Sequence, residues 1–322
     1  MPSTNHLTIL KCVLQSAKQK DYAGYSKFDA LNSPLLKTLS LNTKWARLLI
    51  TQAVKECPLH IRPWLGVKTA RNPKGIALFA RAYLNLYENT RGKYYLQEAE
   101  ALLDWLLQHP SPGQNRLCWG YNFVWQNTLF LQDRYEPNAV VTTFVGEALV
   151  HAFHVTQQIR YLDAAESVAS FIAQDLPVLA ESSEERAIAY ILRPVEAVVL
   201  NNQVLTGALL AKVGLLTNNE GYIDMARRQI TYTVNRRTSD CCWYYTYPRG
   251  KSPITHDNYH TGGILDGLLE YEETTGDNQF ASIYWQGLKY YKDNLFEEDG
   301  APRWMNYKSY PRDVHGSAQG II

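Results

Sequence analysis

The chain has 322 residues, 46% of them hydrophobic, with 32 Lys and Arg against 31 Asp and Glu. It can bury one large core or two ordinary ones, while its balanced charge offers no broad field to gather nucleic acid or an anionic membrane. Five cysteines (Cys12, Cys57, Cys118, Cys241, Cys242) form no CxxC pair, which argues against a disulfide framework or a metal cage and for free buried thiols in a reducing, cytoplasmic setting.

The N-terminal stretch MPSTNHLTILKCVLQ lacks a basic start followed by a continuous apolar stretch, and no apolar run approaches 18 residues; no membrane insertion is expected. Helical patterns near 5–20 and 43–56 make residues 1–60 an N-terminal pair. Ile76, Phe79, Tyr83, Leu86 and Tyr87 then form one apolar stripe and Leu96, Ala99, Leu102, Leu103 and Leu106 another, which predicts a helical hairpin. The same pattern places first helices near 139–155, 202–216 and 260–274, followed by second helices near 161–174, 222–235 and 279–295. Few segments read as strands.

A repeated mark organises these hairpins. Thr90, Thr156, Thr217 and Thr275 are each followed five residues later by an aromatic residue (Tyr95, Tyr161, Tyr222, Phe280), at intervals of 66, 61 and 58 residues. The loops leading into the first helices repeat as well, with Asn72 in RNPKG, Asn138 in EPNAV, Asn202 in LNNQV, Asn258 in DNYHTG and His315 in DVHGSAQG. An asparagine there can accept from the free N–H groups of a first helical turn, so capping is the plainest role for these residues.

A lone hairpin cannot bury its apolar face, so repeated hairpins stack. Closure of five or six pairs gives an all-α toroid of (α/α)6 type as one domain over 1–322, with 61–322 holding the repeated hairpins; an open solenoid is the competing arrangement. The last residues, HGSAQGII, read as the opening of a further helix, which predicts a chain cut short or a ring closed by one short helix.

In a toroid the first-helix N-termini meet on one rim, where their partial positive charge suits an anionic sugar. The 22 Tyr and 8 Trp supply faces for sugar stacking. Trp119, Tyr121 and Trp125, beside Asn138, are candidate platform residues, with an aromatic plug filling the ring as the alternative; WYYTYP (243–248) and RWMNY (303–307) make Trp243 and Trp304 weaker candidates. The densest polar cluster is His256, Asp257, Asn258, Tyr259, His260 and Thr261. A neutral histidine can take a proton and an aspartate can orient it, so Asp257 and His260 are candidate catalytic residues, with Asp313 and His315 an analogous pair. Asn202, His256, Asn258 and Tyr259 complete the expected lining, and Arg312 or Lys74 could hold a carboxylate, as could Arg62. Asp257 and Asp313 could act as paired carboxylates in glycoside hydrolysis, or the histidines could abstract a proton beside a uronate carboxylate, giving elimination or C5 epimerisation. His256, Asp257, His260 and His315 have no diagnostic metal spacing, and no P-loop, GxGxxG or GxSxG motif is present; neither metal nor cofactor is expected.

The stretches RPWLGVKTARNPKGIALFARAYLNLY, CWGYNFVWQN, PNAVVTTFVGEAL, HDNYHTGGILDGLLEY and HGSAQGII resemble a bacterial family found with exopolysaccharide and capsule biosynthesis genes, the VpsJ-like proteins, some of which carry the inherited name aminolevulinate dehydratase. The likeness spans roughly residues 20–322. It implies an α/α toroid and a polysaccharide role, with polysaccharide-assembly proteins as partners. The chain also looks like glycan-active toroids: unsaturated glucuronyl hydrolases, polysaccharide lyases, glucuronyl C5-epimerases and N-acylglucosamine 2-epimerases. The expectation is an enzyme that cleaves or remodels a bacterial polysaccharide. A sugar epimerase and a non-catalytic glycan-binding scaffold are the alternatives.

Overall fold

A computed structural model of the chain describes residues 4–321; Ile322, the last residue of the terminal motif, lies outside them. Its helices are α1 (Thr4–Gln19), α2 (Pro34–Leu39), α3 (Lys44–Glu56), α4 (Pro73–Thr90), α5 (Lys93–Gln108), α6 (Ala139–Thr156), α7 (Ile159–Ser170), α8 (Leu200–Thr217), α9 (Glu220–Val234), α10 (Asn258–Thr275), α11 (Ala281–Asn294) and α12 (Val314–Gln319). Strands come only as short antiparallel pairs among the described residues. The chain folds as two compact units, Met1–Tyr161 and Leu162–Ile322.

The repeated threonine has a physical cause. In each case its hydroxyl donates back to the carbonyl four residues earlier: Thr90 to Leu86 at 2.6 Å, Thr156 to Ala152 at 2.7 Å, Thr217 to Val213 and Thr275 to Tyr271 at 2.8 Å. The next residue turns left-handed and ends the helix, at φ 56° for Arg91, 57° for Gln157, 54° for Asn218 and 72° for Gly276. The aromatic residue four positions further on lies in or just before the following helix, where Tyr161, Tyr222 and Phe280 are buried. Threonine, left-handed turn and aromatic anchor together make one reversal.

The lead-in loops keep the same register. The residues capping α4, α6, α8 and α10 are Asn72, Asn138, Val199 and Asp257, and each helix has 18 residues. Asn72 and Asn138 act as sequence-expected caps, accepting from Lys74 N at 3.1 Å and Val141 N at 2.8 Å. The third lead-in differs from expectation. Val199 stands at the cap position, without a side-chain acceptor, and Asn202 lies three residues inside α8. In the fourth, Asp257 takes the cap and Asn258 becomes the first helical residue.

In the first unit α4 packs on α5 and α6. Gly120 lets the 111–138 loop close against itself, since a Cβ there would stand 1.8 Å from the carbonyl oxygen of Glu136. Among the described residues, α6 is the helix long and apolar enough to cross a membrane, and 67% of it is buried inside the protein, as a core helix would be. In the second unit α8 packs on α9 and α10, and α10 on α11 and α12. Gly267 permits the α8–α10 crossing, where a Cβ would meet Val204 Cγ1 at 2.7 Å. The hairpin of Val178–Glu181 with Arg186–Ile188 is bound to α8 through one amide. Gln203 accepts from Ile188 N at 2.8 Å and donates to Ile188 O at 2.9 Å, as a neighbouring strand would.

Candidate active site

The chemistry of the second unit centres on the first turn of α10. Asp257 caps this helix, its Oδ2 accepting from the backbone N–H of His260 at 3.3 Å. The same oxygen lies 2.7 Å from His260 Nδ1. An ionised carboxylate only accepts, so the shared proton sits on Nδ1 and the lone pair falls on Nε2, at the far edge of the ring. The Asp257 side chain is 5% exposed and that of His260 21%: the orienting group is enclosed while the ring keeps an open edge. Tyr245 and Tyr259 frame the ring, with centroids 4.3 and 5.2 Å from it.

The same arrangement recurs before α12. Asp313 Oδ1 accepts from His315 N at 3.0 Å and lies 2.8 Å from His315 Nδ1, and the histidine side chain is 48% exposed. Tyr259 joins the two pairs, its ring centroid 5.3 Å from that of His315. Gly316 makes the approach of α12 possible, because a Cβ there would meet Asn258 Oδ1 at 3.1 Å. Two aspartate-oriented histidines thus flank one tyrosine. Arg312 is exposed and its guanidinium lies 5.3 Å from the Tyr310 ring centre, close in sequence to the second pair.

Several sequence-expected lining residues are taken up by the framework. Asn258 is 2% exposed, with its amide donating to Leu295 O at 2.8 Å and its carbonyl accepting from Tyr291 at 2.9 Å; it is an enclosed strut and does not line an open surface. His256 is buried too. Its Nδ1 donates to Trp243 O at 2.9 Å, which leaves Nε2 facing Cys242 Sγ at 4.0 Å, and Tyr244 covers the ring with centroids 4.2 Å apart. Burial pushes the Cys242 thiol up, which keeps it protonated. Asn202 is fully enclosed at 0% exposure, with neither amide atom hydrogen-bonded, and therefore does not line an open surface. Trp304 is half-buried, and its carbonyl accepts from Asn258 N at 3.3 Å.

In the first unit, Trp119 is 1% exposed and its indole N–H donates to Leu106 O, the last turn of α5, at 3.0 Å. Trp243 repeats this in the second unit, donating to Thr233 O at 3.0 Å in the last turn of α9. Both tryptophans are packing anchors without a free face, so Trp119 leaves the platform. Asn138 is likewise fully buried, as the cap of α6. Tyr121 and Trp125 are half-buried and meet edge to face at 5.8 Å, with Phe123 stacked on Tyr121 at 4.9 Å. Lys74 sits with Nζ 4.1 Å from the Phe144 ring centre. Arg62 pairs with the buried carboxylate of Asp29 at 2.8 Å.

Tyr245 was not singled out from the sequence, although a signal exists: Trp119-Gly-Tyr121 and Trp243-Tyr-Tyr245 share the spacing W-x-Y, with the tryptophan buried and the tyrosine half-buried in both. No group of three or more His, Cys, Asp or Glu able to hold a metal ion occurs among the described residues.

The chain matches no protein-family profile and no curated protein. Among solved structures it is similar to a cellobiose 2-epimerase from Spirochaeta thermophila, with 13% identity over 92% of this chain and 86% of that one and a TM-score of 0.60. It is similar also to an α-mannanase of glycoside hydrolase family 76 from Bacteroides thetaiotaomicron, at 14% identity over 78% and 68% and a TM-score of 0.56. A polysaccharide lyase matches at 13% identity over 77% and 69%, with a TM-score of 0.55. At such identities the likeness establishes the fold: this is an all-α protein of the α/α-toroid class, the class in which these carbohydrate-active proteins fall.

Proposed function

We propose that the chain is a carbohydrate-processing enzyme that removes a proton from a sugar carbon, acting on a bacterial exopolysaccharide that contains uronic acid. The observation that carries this reading is the 2.7 Å contact between Asp257 Oδ2 and His260 Nδ1 beneath an accessible ring edge. A carboxylate at Nδ1 fixes the tautomer and steadies the imidazolium formed when Nε2 accepts a proton. A uronate supplies a suitably acidic C–H at C5, next to its own carboxylate. His260 Nε2 takes that proton. The electron pair then forms the C4–C5 double bond as the C4–O bond breaks, the leaving oxygen taking a proton from water, and an unsaturated product results; alternatively a protonated His315 returns a proton to the opposite face of C5, giving the epimer. Arg312 is placed in sequence to pair with the sugar carboxylate, and Tyr245 and Tyr259 offer ring faces to the substrate.

This chemistry is favoured over hydrolysis by a carboxylate pair because Asp257 and Asp313 are each already held by a backbone N–H and an imidazole. Two oriented histidines suit proton removal and return better than they suit nucleophilic attack. The fold class agrees, as it includes sugar epimerases and a polysaccharide lyase. The resemblance to the exopolysaccharide-linked family supports the polymer as substrate, and proteins of polysaccharide assembly as neighbours. Incubating the native polysaccharide with wild-type protein and with His260→Gln tests the reading. Turnover by the wild type and a loss of about a hundredfold or more in the variant are expected; equal turnover by both would sink it.

A further inference from the structure

The balanced charge of the whole chain conceals a segregation. Residues 1–68 carry ten Lys and Arg against three Asp and Glu, and no acidic residue occurs between Ala30 and Lys55. In the same stretch α2 and α3 turn large apolar side chains to solvent: Leu35 and Leu39, four apart on α2, are each 58% exposed, and Trp45 and Leu49, four apart on α3, are 74% and 72% exposed. Leu41, in the turn between the helices, is 79% exposed. The opposite side of α3 is anchored by the buried Thr51 and Val54. Lys44 Nζ lies 5.6 Å from the Trp45 ring centre and Lys37 is exposed on α2, whereas Arg47 falls on the anchored side of α3. Lys44 bonds the carbonyl oxygen of Thr128 at 2.7 Å, and Arg47 bonds the oxygens of Gln126 and Asn42, all neutral acceptors that leave both positive charges uncompensated.

From this we infer that the α2–α3 face docks the protein peripherally on the surface of an anionic phospholipid bilayer. Leucine and tryptophan on an exposed helical face, with lysine and arginine beside them, match the boundary between acyl chains and anionic headgroups. Tryptophan in particular prefers that depth, having an apolar body and one donor. The centre of a protein–protein interface is poor in lysine, whereas Lys44 sits against Trp45 and Lys37 is exposed on the helix that carries Leu35 and Leu39. Charge complementarity therefore selects the bilayer. The inference is independent of the reaction proposed above, and its failure leaves that reaction untouched.

Co-sedimentation of the full-length protein with phosphatidylcholine vesicles, and with vesicles of phosphatidylcholine and phosphatidylserine in equal parts, tests the docking. Binding to the mixed vesicles, weak binding to phosphatidylcholine alone and release at high salt are expected. Lys37→Ala and Lys44→Ala should each lower the partition coefficient about fivefold, and Trp45→Ser combined with Leu49→Ser about tenfold or more. Far-UV circular dichroism and the thermal midpoint establish that the variants are folded, and Leu35→Ser with Leu39→Ser gives an independent readout. The inference is overturned if neither vesicle binds or if the folded variants bind as the wild type does. It is also overturned if the wild type is a dimer that the Trp45 and Leu49 changes convert to a monomer, since the face would then be covered by a second copy.

Discussion

In the proposed reaction His260 and Asp257 divide their labour in a way that a conservative exchange can expose. Asp257→Asn keeps an oxygen for capping α10 but loses the ionised acceptor that fixes the proton on Nδ1. Turnover is expected to fall by about a hundredfold or more while the thermal midpoint stays near that of the wild type, because the cap itself contributes only about 1 kcal/mol. Parallel activity assays and calorimetry check this split; a matching loss of stability would make Asp257 a structural cap alone. The cysteines offer a second contrast. Cys12 is exposed, whereas Cys242 is buried and its thiol is pushed up by that burial. Because only the thiolate reacts, iodoacetamide at neutral pH should label Cys12 and spare Cys242, as peptide mass mapping would read.

The helices α4, α6, α8 and α10 show how much a local rule can fix. Each has 18 residues and closes on a threonine with a left-handed residue behind it, so hairpin spacing was readable from the Thr-to-aromatic mark alone. The start of α8 was not. The asparagine pattern points to Asn202, but the cap position belongs to Val199, whose backbone pairs with Thr246 in a short ladder that holds the helix start without a capping side chain. Two substitutions probe these elements. Gln203→Leu strips the buried amide that pairs with both backbone groups of Ile188, and urea denaturation should show a loss of about 2 to 3 kcal/mol; a neutral result would mean that the 178–188 hairpin holds without it. Gly120→Ala forces a Cβ into the Glu136 carbonyl and should cost about 3 kcal/mol or more by the same measurement, with wild-type stability contradicting the close approach.

For the molecule as a whole, fold class was legible because helical periodicity, reversal and spacing all repeat, and repetition accumulates over four hairpins. The candidate site was legible only in part. Asp257, His260, Asp313 and His315 stood out because titratable side chains crowded the positions where helices begin, and the structure pairs them two by two. Aromatic residues were less readable: Trp119 and Tyr121 are two positions apart, yet one is an enclosed anchor and the other half-buried, a difference set by which face the 111–138 loop turns inward. Whole-chain charge also concealed the basic, apolar α2–α3 face, since the acidic excess of the remaining residues cancels it.

Proton removal by His260 is most directly tested by incubating the native polysaccharide with the protein in heavy water and reading the products by mass spectrometry. Expected is either a carbon-bound deuterium at C5 in a product otherwise unchanged in mass, or an unsaturated sugar at the new chain end, each lost in His260→Gln. Cleavage by addition of one water per bond, with no carbon-bound deuterium and with His260→Gln as active as the wild type, would contradict it.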